Sequence, residues 1–116
     1  MDTIELVKEA LKVLDDKMAE DVKVLDIRGI SVMSDYFIIA SAKNVSQVKA
    51  IADELEQKLY EKNCKLIQSE GYQTARWVLL DFNDIIVHIF LKEEREFYQL
   101  ERVWADAKQV DIDFSA

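Results

Sequence analysis

Apolar residues recur along this chain with two periods, and the switches between them mark its elements. Ile4, Val7, Leu11, Leu14 and Met18 fall on one side at helical spacing, with Asp2 or Thr3 placed to cap the start. Residues 22–28 read instead as a strand, with Val22 and Val24 on one side and Leu25 and Ile27 on the other, ending at Gly29. DYFIIASA, 35–42, is rich in β-formers and reads as a second, more buried strand; the GISVMS between them is long enough for a hairpin loop. Helical spacing returns over 42–63, where Val48, Ile51, Ala52, Leu55 and Leu59 form the apolar stripe. Asn44 is its N-cap, Gln47 stands at the capping-box position, and Asn63 suits a left-handed exit. KLIQSE, 65–70, is a short strand, followed by a loop from Gly71 through Thr74. Two β-rich runs then flank Asn83-Asp84 within WVLLDFNDIIVHIF, 77–90. A third helix is predicted over 92–108, with acids at its start and Phe97, Leu100, Trp104 and Lys108 on one side. The order α–β–β–α–β–β–β–α predicts one small α/β domain over 1–116, a mixed β-sheet packed with helices.

The 77–90 segment resolves into two faces. Asn and Asp tolerate the positive φ that a two-residue hairpin turn demands. Such a turn at Asn83-Asp84 pairs Phe82 with Ile85, Leu80 with Val87, Leu79 with His88 and Trp77 with Phe90. Opposed residues share a face. One face is then Val78, Leu80, Phe82, Ile85, Val87 and Ile89, all apolar, and belongs under helices. The other carries Trp77, Leu79, Asp81, Ile86, His88 and Phe90. A buried, unpaired Asp81 would be costly, and a solvent face has no need of Trp77 and Phe90 together. Mixed aromatic and polar surfaces of this kind are typical of protein interfaces. The competing reading is a covered face in which His88 simply packs.

Composition narrows the partners. Fifteen Lys and Arg stand against 23 Asp and Glu, a formal net charge of −8. No run is basic; KNCK, 62–65, is the nearest. Phosphate binding needs clustered cations, so no direct DNA contact is expected and RNA contact is minor at most. The acidic balance suits a basic protein partner. The single cysteine, Cys64, fits a reducing compartment; no apolar run is long enough to span a membrane and the N-terminus does not resemble a secretory signal, so a soluble, cytoplasmic protein is expected.

Catalytic chemistry finds little support. His88 is the only histidine, and Cys64 ends a helix with no nucleophile signature. One His and one Cys are too few for a structural metal site, and no cofactor motif occurs. Gly29-Ile30-Ser31 before Asp35 resembles the turn and first acid of a nucleotidyltransferase metal site, but the second acid position holds Phe37. Asp35 is then expected to cap or fix the turn into the strand.

SDYFIIAS (34–41), EG (70–71), WVLLDFNDIIVHIF (77–90) and REFYQLERVW (95–104) together resemble the ribosomal silencing factor family, also called RsfS or Iojap. The resemblance covers nearly the whole chain. It implies a non-enzymatic protein of nucleotidyltransferase-like fold that binds the large ribosomal subunit through ribosomal protein L-fourteen. On that surface it blocks joining of the small subunit and represses translation under nutrient limitation; homodimers also occur in the family. By position, Trp77, Asp81 and His88 match the sheet motif, Gly71 the loop, and Arg95, Tyr98, Glu101 and Trp104 the last helix. Asn83 stands where the family often has Gly, and Asn accepts the same φ. The expected partner-binding set is Trp77, Leu79, Asp81, His88, Tyr98 and Glu101. Asp35, Gly71, Asn83, Arg95 and Trp104 are expected to be structural. Rival readings are a dimeric scaffold using the mixed face on itself and a nucleotide-binding, nucleotidyltransferase-like protein.

Overall fold

The computed structural model of the protein describes residues 2–30, 32, 34–98 and 107–114, with 96–98 by backbone alone. Helix α1 (Thr3–Asp16) starts where Asp2 accepts the Glu5 N–H at 2.9 Å. Its stripe buries Leu6, Val7, Ala10, Leu11, Val13 and Leu14. Met18 was expected on that stripe but lies beyond the helix, at φ 61° and 74% exposed. Helix α2 (Val45–Glu61) is capped by Asn44, which accepts the Gln47 N–H at 2.8 Å. Gln47 accepts the Lys43 N–H and donates to the carbonyls of Lys17 and Met18, so the start of α2 also closes the end of α1. Asn63 leaves α2 at φ 64°.

The strands are β1 (Glu20–Asp26), β2 (Tyr36–Ala42), β3 (Gln68–Glu70), β4 (Trp77–Asp81), β5 (Ile85–Leu91) and β6 (Lys108–Val110), with helix α3 (Lys92–Tyr98) after β5. They form one sheet in the order β3-β4-β5-β2-β1-β6. Only β2 and β5 run parallel; the other neighbours are antiparallel, so the sheet is mixed as expected. The hairpin register is the one the turn predicts: Trp77 opposite Phe90, Leu79 opposite His88, Asp81 opposite Ile86. Val78, Leu80, Phe82, Ile85, Val87 and Ile89 are all at most 2% exposed and join α1 and α2 in the main core. Among the described residues no helix is long and apolar enough to cross a membrane.

The element order differs from expectation at the C-terminal end. Lys108, expected on a helix, begins β6, which pairs with β1. Val110, Ile112 and Phe114 pack on the core in alternation with Asp111 and Asp113. That period of two is the strand signal, and the last element predicted from the sequence ends at Lys108 with no strand after it.

Candidate protein-docking face

The second face of the sheet is split between two fates. Arg95 on α3 donates to Ser41 Oγ at 2.9 Å and to the Asp21 carbonyl. Ser41 pairs with Phe90, so α3 lies on this face and packs over β5 and β2. On the same face, Leu25, Ile27, Phe37, Ile39, Ile86 and Phe90 form a second buried cluster, with Trp77, Leu79 and Ala107 packed against it. The β5 half of the mixed face is therefore core. On β4, Trp77, Leu79 and Asp81 are half-buried, Trp77 and Leu79 packing at the border of that cluster.

His88 sits at the boundary, 3% exposed. Phe37 meets its ring edge-on at 4.9 Å, and the Trp77 Nε1–H donates to its Nδ1 at 3.1 Å. Accepting at Nδ1 fixes the neutral tautomer with its proton on Nε2, which is buried and has no hydrogen-bond partner among the described residues. Burial lowers the His88 pKa from 6.5 to about 4. A charged imidazole would lose solvation and would place a donor against the indole donor. Trp77 also stacks on Phe90 at 4.9 Å and 24°. Its indole is thus tied to His88 and Phe90 and remains half-buried.

Asp81 is held too, its Oδ1 accepting the Asn83 N–H at 2.8 Å. Asn83 takes φ 77°, the left-handed turn conformation. Cross-strand pairing places Glu70 beside Leu79 and Gln68 beside Asp81 on the same face, both exposed. Reading the sequence missed these two. Their face depends on the β3–β4 register, which a three-residue strand does not announce. Tyr98 ends the described part of α3, its side chain outside the described residues, where Glu101 and Trp104 also lie.

A sequence profile described as ribosomal silencing factor during starvation matches residues 1–116. The chain belongs to that family. A ribosomal silencing factor of Bacillus subtilis is 44% identical over 109 residues, covering 94% of this chain and 92% of the relative. A crystal structure of a Chromobacterium violaceum protein superposes with TM-score 0.88 at 30% identity, covering 100% of this chain and 94% of that one. One from Bacillus halodurans gives 0.83 at 42% identity, covering 93% and 98%. More distant is a mouse protein named mitochondrial assembly of ribosomal large subunit protein 1, 27% identical over 97 residues, covering 81% of this chain and 42% of its own length.

Within this member of the ribosomal silencing factor family no residue is assigned a catalytic role. Cys64 packs against the helix-side core, whereas His88 lies among the rings of the opposite face. The two cannot form a nucleophile and base pair. Phe37, at the second acid position, is buried, and among the described residues no group of three or more His, Cys, Asp or Glu could hold a metal. Asp35 joins the loop to the hairpin through its backbone, its N–H donating to the Asp84 carbonyl at 2.9 Å and its carbonyl accepting from Ile27 at 3.0 Å. The Cys64 thiol lies 3.8 Å from the Phe82 carbonyl, and burial, with the Asp84 charge, pushes its pKa up. At pH 7.5 its alkylation by iodoacetamide is expected to be at least roughly tenfold slower than that of free cysteine. Equal rates would contradict a shielded thiol.

Proposed function

We propose that this ribosomal silencing factor docks on the large ribosomal subunit through ribosomal protein L-fourteen and blocks joining of the small subunit by occupying its place. The observation that carries the reading is the half-buried strip of β4, Trp77, Leu79 and Asp81, with Trp77 held by His88 and Asp81 by the Asn83 N–H. Trp is the commonest anchor of protein interfaces, and pinning an anchor in advance lowers the entropy lost on docking. Asp81 meets a Lys or Arg of the basic partner. His88, sealed beneath Trp77, acts by orienting the indole. Tyr98 and Glu101 extend the contact, Glu101 as a rim charge that mainly raises the association rate. Family membership supports the ribosomal role, and the name of the mouse relative supports the large subunit.

Trp77→Ala and Asp81→Lys are expected to weaken co-sedimentation with purified large subunits by roughly 30-fold or more, the effect of losing a hot-spot residue. The circular dichroism of both stays as in the parent. If both variants still sediment normally with the large subunit, this is the wrong face.

We propose kinship with nucleotidyltransferases at the level of fold, supported by the sequence Gly29-Ile30-Ser31 before Asp35. With Phe37 in place of the second acid, titration calorimetry with ATP or CTP and Mg²⁺ is expected to show no heat. Binding heat would favour the nucleotide-binding alternative. A dimer burying Trp77 would compete with the ribosome, and light scattering of Trp77→Ala against the parent detects it.

A further inference from the structure

Trp77 is the first residue of β4, a place where a strand ordinarily frays. Behind it stands the 71–75 turn. Gly71 presses on the Trp77 carbonyl with no room for a Cβ, and the Arg76 carbonyl accepts the Leu91 N–H at 2.9 Å. The turn is closed by a bond from the Ala75 N–H to the Gly71 carbonyl, yet its backbone is strained. Ala75 stands at φ 57°, a left-handed conformation that alanine avoids, so contacts outside the turn must hold it there. The Ala75 side chain is fully buried in the helix-side core, and Tyr72 reaches across to α2. The Tyr72 hydroxyl donates to Asp53 Oδ2 at 3.2 Å, and Lys49 Nζ lies 5.2 Å from the centre of the ring. The bond to Asp53 raises the Tyr72 pKa, so the phenol keeps the proton it donates throughout the neutral range.

We infer that Tyr72 is a positioning residue for the docking anchor: moored on α2, it fixes the 71–75 turn, and the turn fixes where Trp77 leaves the sheet. The inference rests on Trp77 being the anchor and deepens that reading by adding a residue that the partner does not touch. Tyr72 packs with the helix-side core, whereas Trp77 packs with the cluster on the other face. Anchor and mooring therefore lie on opposite sides of the sheet. The indole depends on both sides. His88 and Phe90 set its rotation, while the turn sets the backbone from which it projects. Drift of that backbone breaks the 3.1 Å bond to His88 and leaves the indole to be ordered only on docking.

Tyr72→Phe removes the hydroxyl and keeps the ring. Asp53→Ala removes the acceptor, and Asp53→Asn keeps one. The first readout is hydrogen exchange of the Trp77 indole N–H by NMR, its resonance assigned by its absence from Trp77→Phe. Tyr72→Phe and Asp53→Ala are expected to speed that exchange roughly threefold or more, through local opening. The double variant goes no further than either alone, and Asp53→Asn keeps the parent rate. Melting temperatures stay within about 3 °C of the parent, as suits an exposed hydrogen bond, so global unfolding does not supply the exchange. Co-sedimentation with purified large subunits weakens roughly threefold to tenfold in Tyr72→Phe and Asp53→Ala, the effect of an anchor no longer ordered in advance. Unchanged indole exchange in Tyr72→Phe overturns the inference. So does faster exchange with parental binding, when Trp77→Ala measured alongside has lost its binding. Normal binding by Trp77→Ala instead marks the docking face as wrong, and faster exchange in Tyr72→Phe then still supports Tyr72 as the residue that positions Trp77.

Discussion

Gly71→Ala is expected to destabilise the protein by at least about 3 kcal/mol, with a fall in Tm of about 10–15 °C in calorimetry. Two costs combine. Gly71 sits at φ +82°, where an L side chain costs about 1–2 kcal/mol. In addition, a Cβ built there would stand 2.1 Å from the Trp77 carbonyl oxygen, which is backbone and cannot rotate away. The 71–75 turn or the start of β4 must move. The turn is closed by the Ala75 N–H to the Gly71 carbonyl at 2.9 Å, so displacement also reaches Ala75, which is fully buried at φ 57°. Gly29→Ala is the natural control: φ is +89°, but nothing lies within 4 Å of the added Cβ. It should cost only the conformational part, and the difference between the two variants isolates the collision. Equal losses would mean that the close approach to Trp77 is not rigid. Since Trp77 is the proposed anchor, Gly71→Ala should also weaken large-subunit binding beyond the loss of folded protein.

The second large effect is a loss of stability on acidification that belongs to His88. In the unfolded chain this imidazole takes up a proton near pH 6.5, whereas in the folded protein burial delays uptake to about pH 4. Between those values the unfolded state binds more protons, so stability falls as pH falls, by about 3 kcal/mol in total. Above about pH 7 and below about pH 4 this group contributes no slope. The variant that isolates it is His88→Asn, whose Oδ1 keeps an acceptor for the Trp77 indole but does not titrate. Urea unfolding across pH 7 to 4 should show the parent losing about 3 kcal/mol more than His88→Asn. Carboxylates titrating in the same range affect both proteins alike and cancel in the difference. Parallel curves would mean that His88 is hydrated and ionises freely in the fold.

Much of this was legible in the chain. The alternation from Val78 to Ile89 identified the face that lies under α1 and α2, because a strand with one apolar face leaves only one register that buries it. Asn83-Asp84 fixed the hairpin, and Asn44 with Gln47 fixed the start of α2, through local bonds that need no tertiary information. The fate of the mixed face was not legible. Ile86, His88 and Phe90 are buried whereas Trp77, Leu79 and Asp81 are half-buried, and α3 packs over β5 and β2. Arg95 sets that place by reaching Ser41 on β2 and Asp21 at the irregular start of β1, positions 54 and 74 residues away in sequence. Strand β6 was hidden for a different reason. It is three residues long, Lys108–Val110, too short to show an alternation of its own, and it begins on a residue read as helix. Gly71 was recognised as a loop residue, but its contact with the Trp77 carbonyl is a matter of backbone proximity that no residue type signals.

The single parallel pairing at the centre of the sheet has a consequence for how the chain is made. The β1–β2 and β4–β5 hairpins close locally, but Tyr36 on β2 must wait for Ile85, 49 positions later, and their partners run the full length of both strands. All seven residues of β2 are buried in the finished protein. At a synthesis rate of roughly 5–20 residues per second, β2 emerges and then stands with one edge unpaired for roughly 2–10 s before β5 exists to cover it. During that interval the β1–β2 hairpin offers a bare, apolar edge to whatever is near the tunnel exit. A regulator of ribosomes is in this respect unusually exposed at birth, and a chaperone that shields strand edges is expected to raise its yield more than its final stability would suggest.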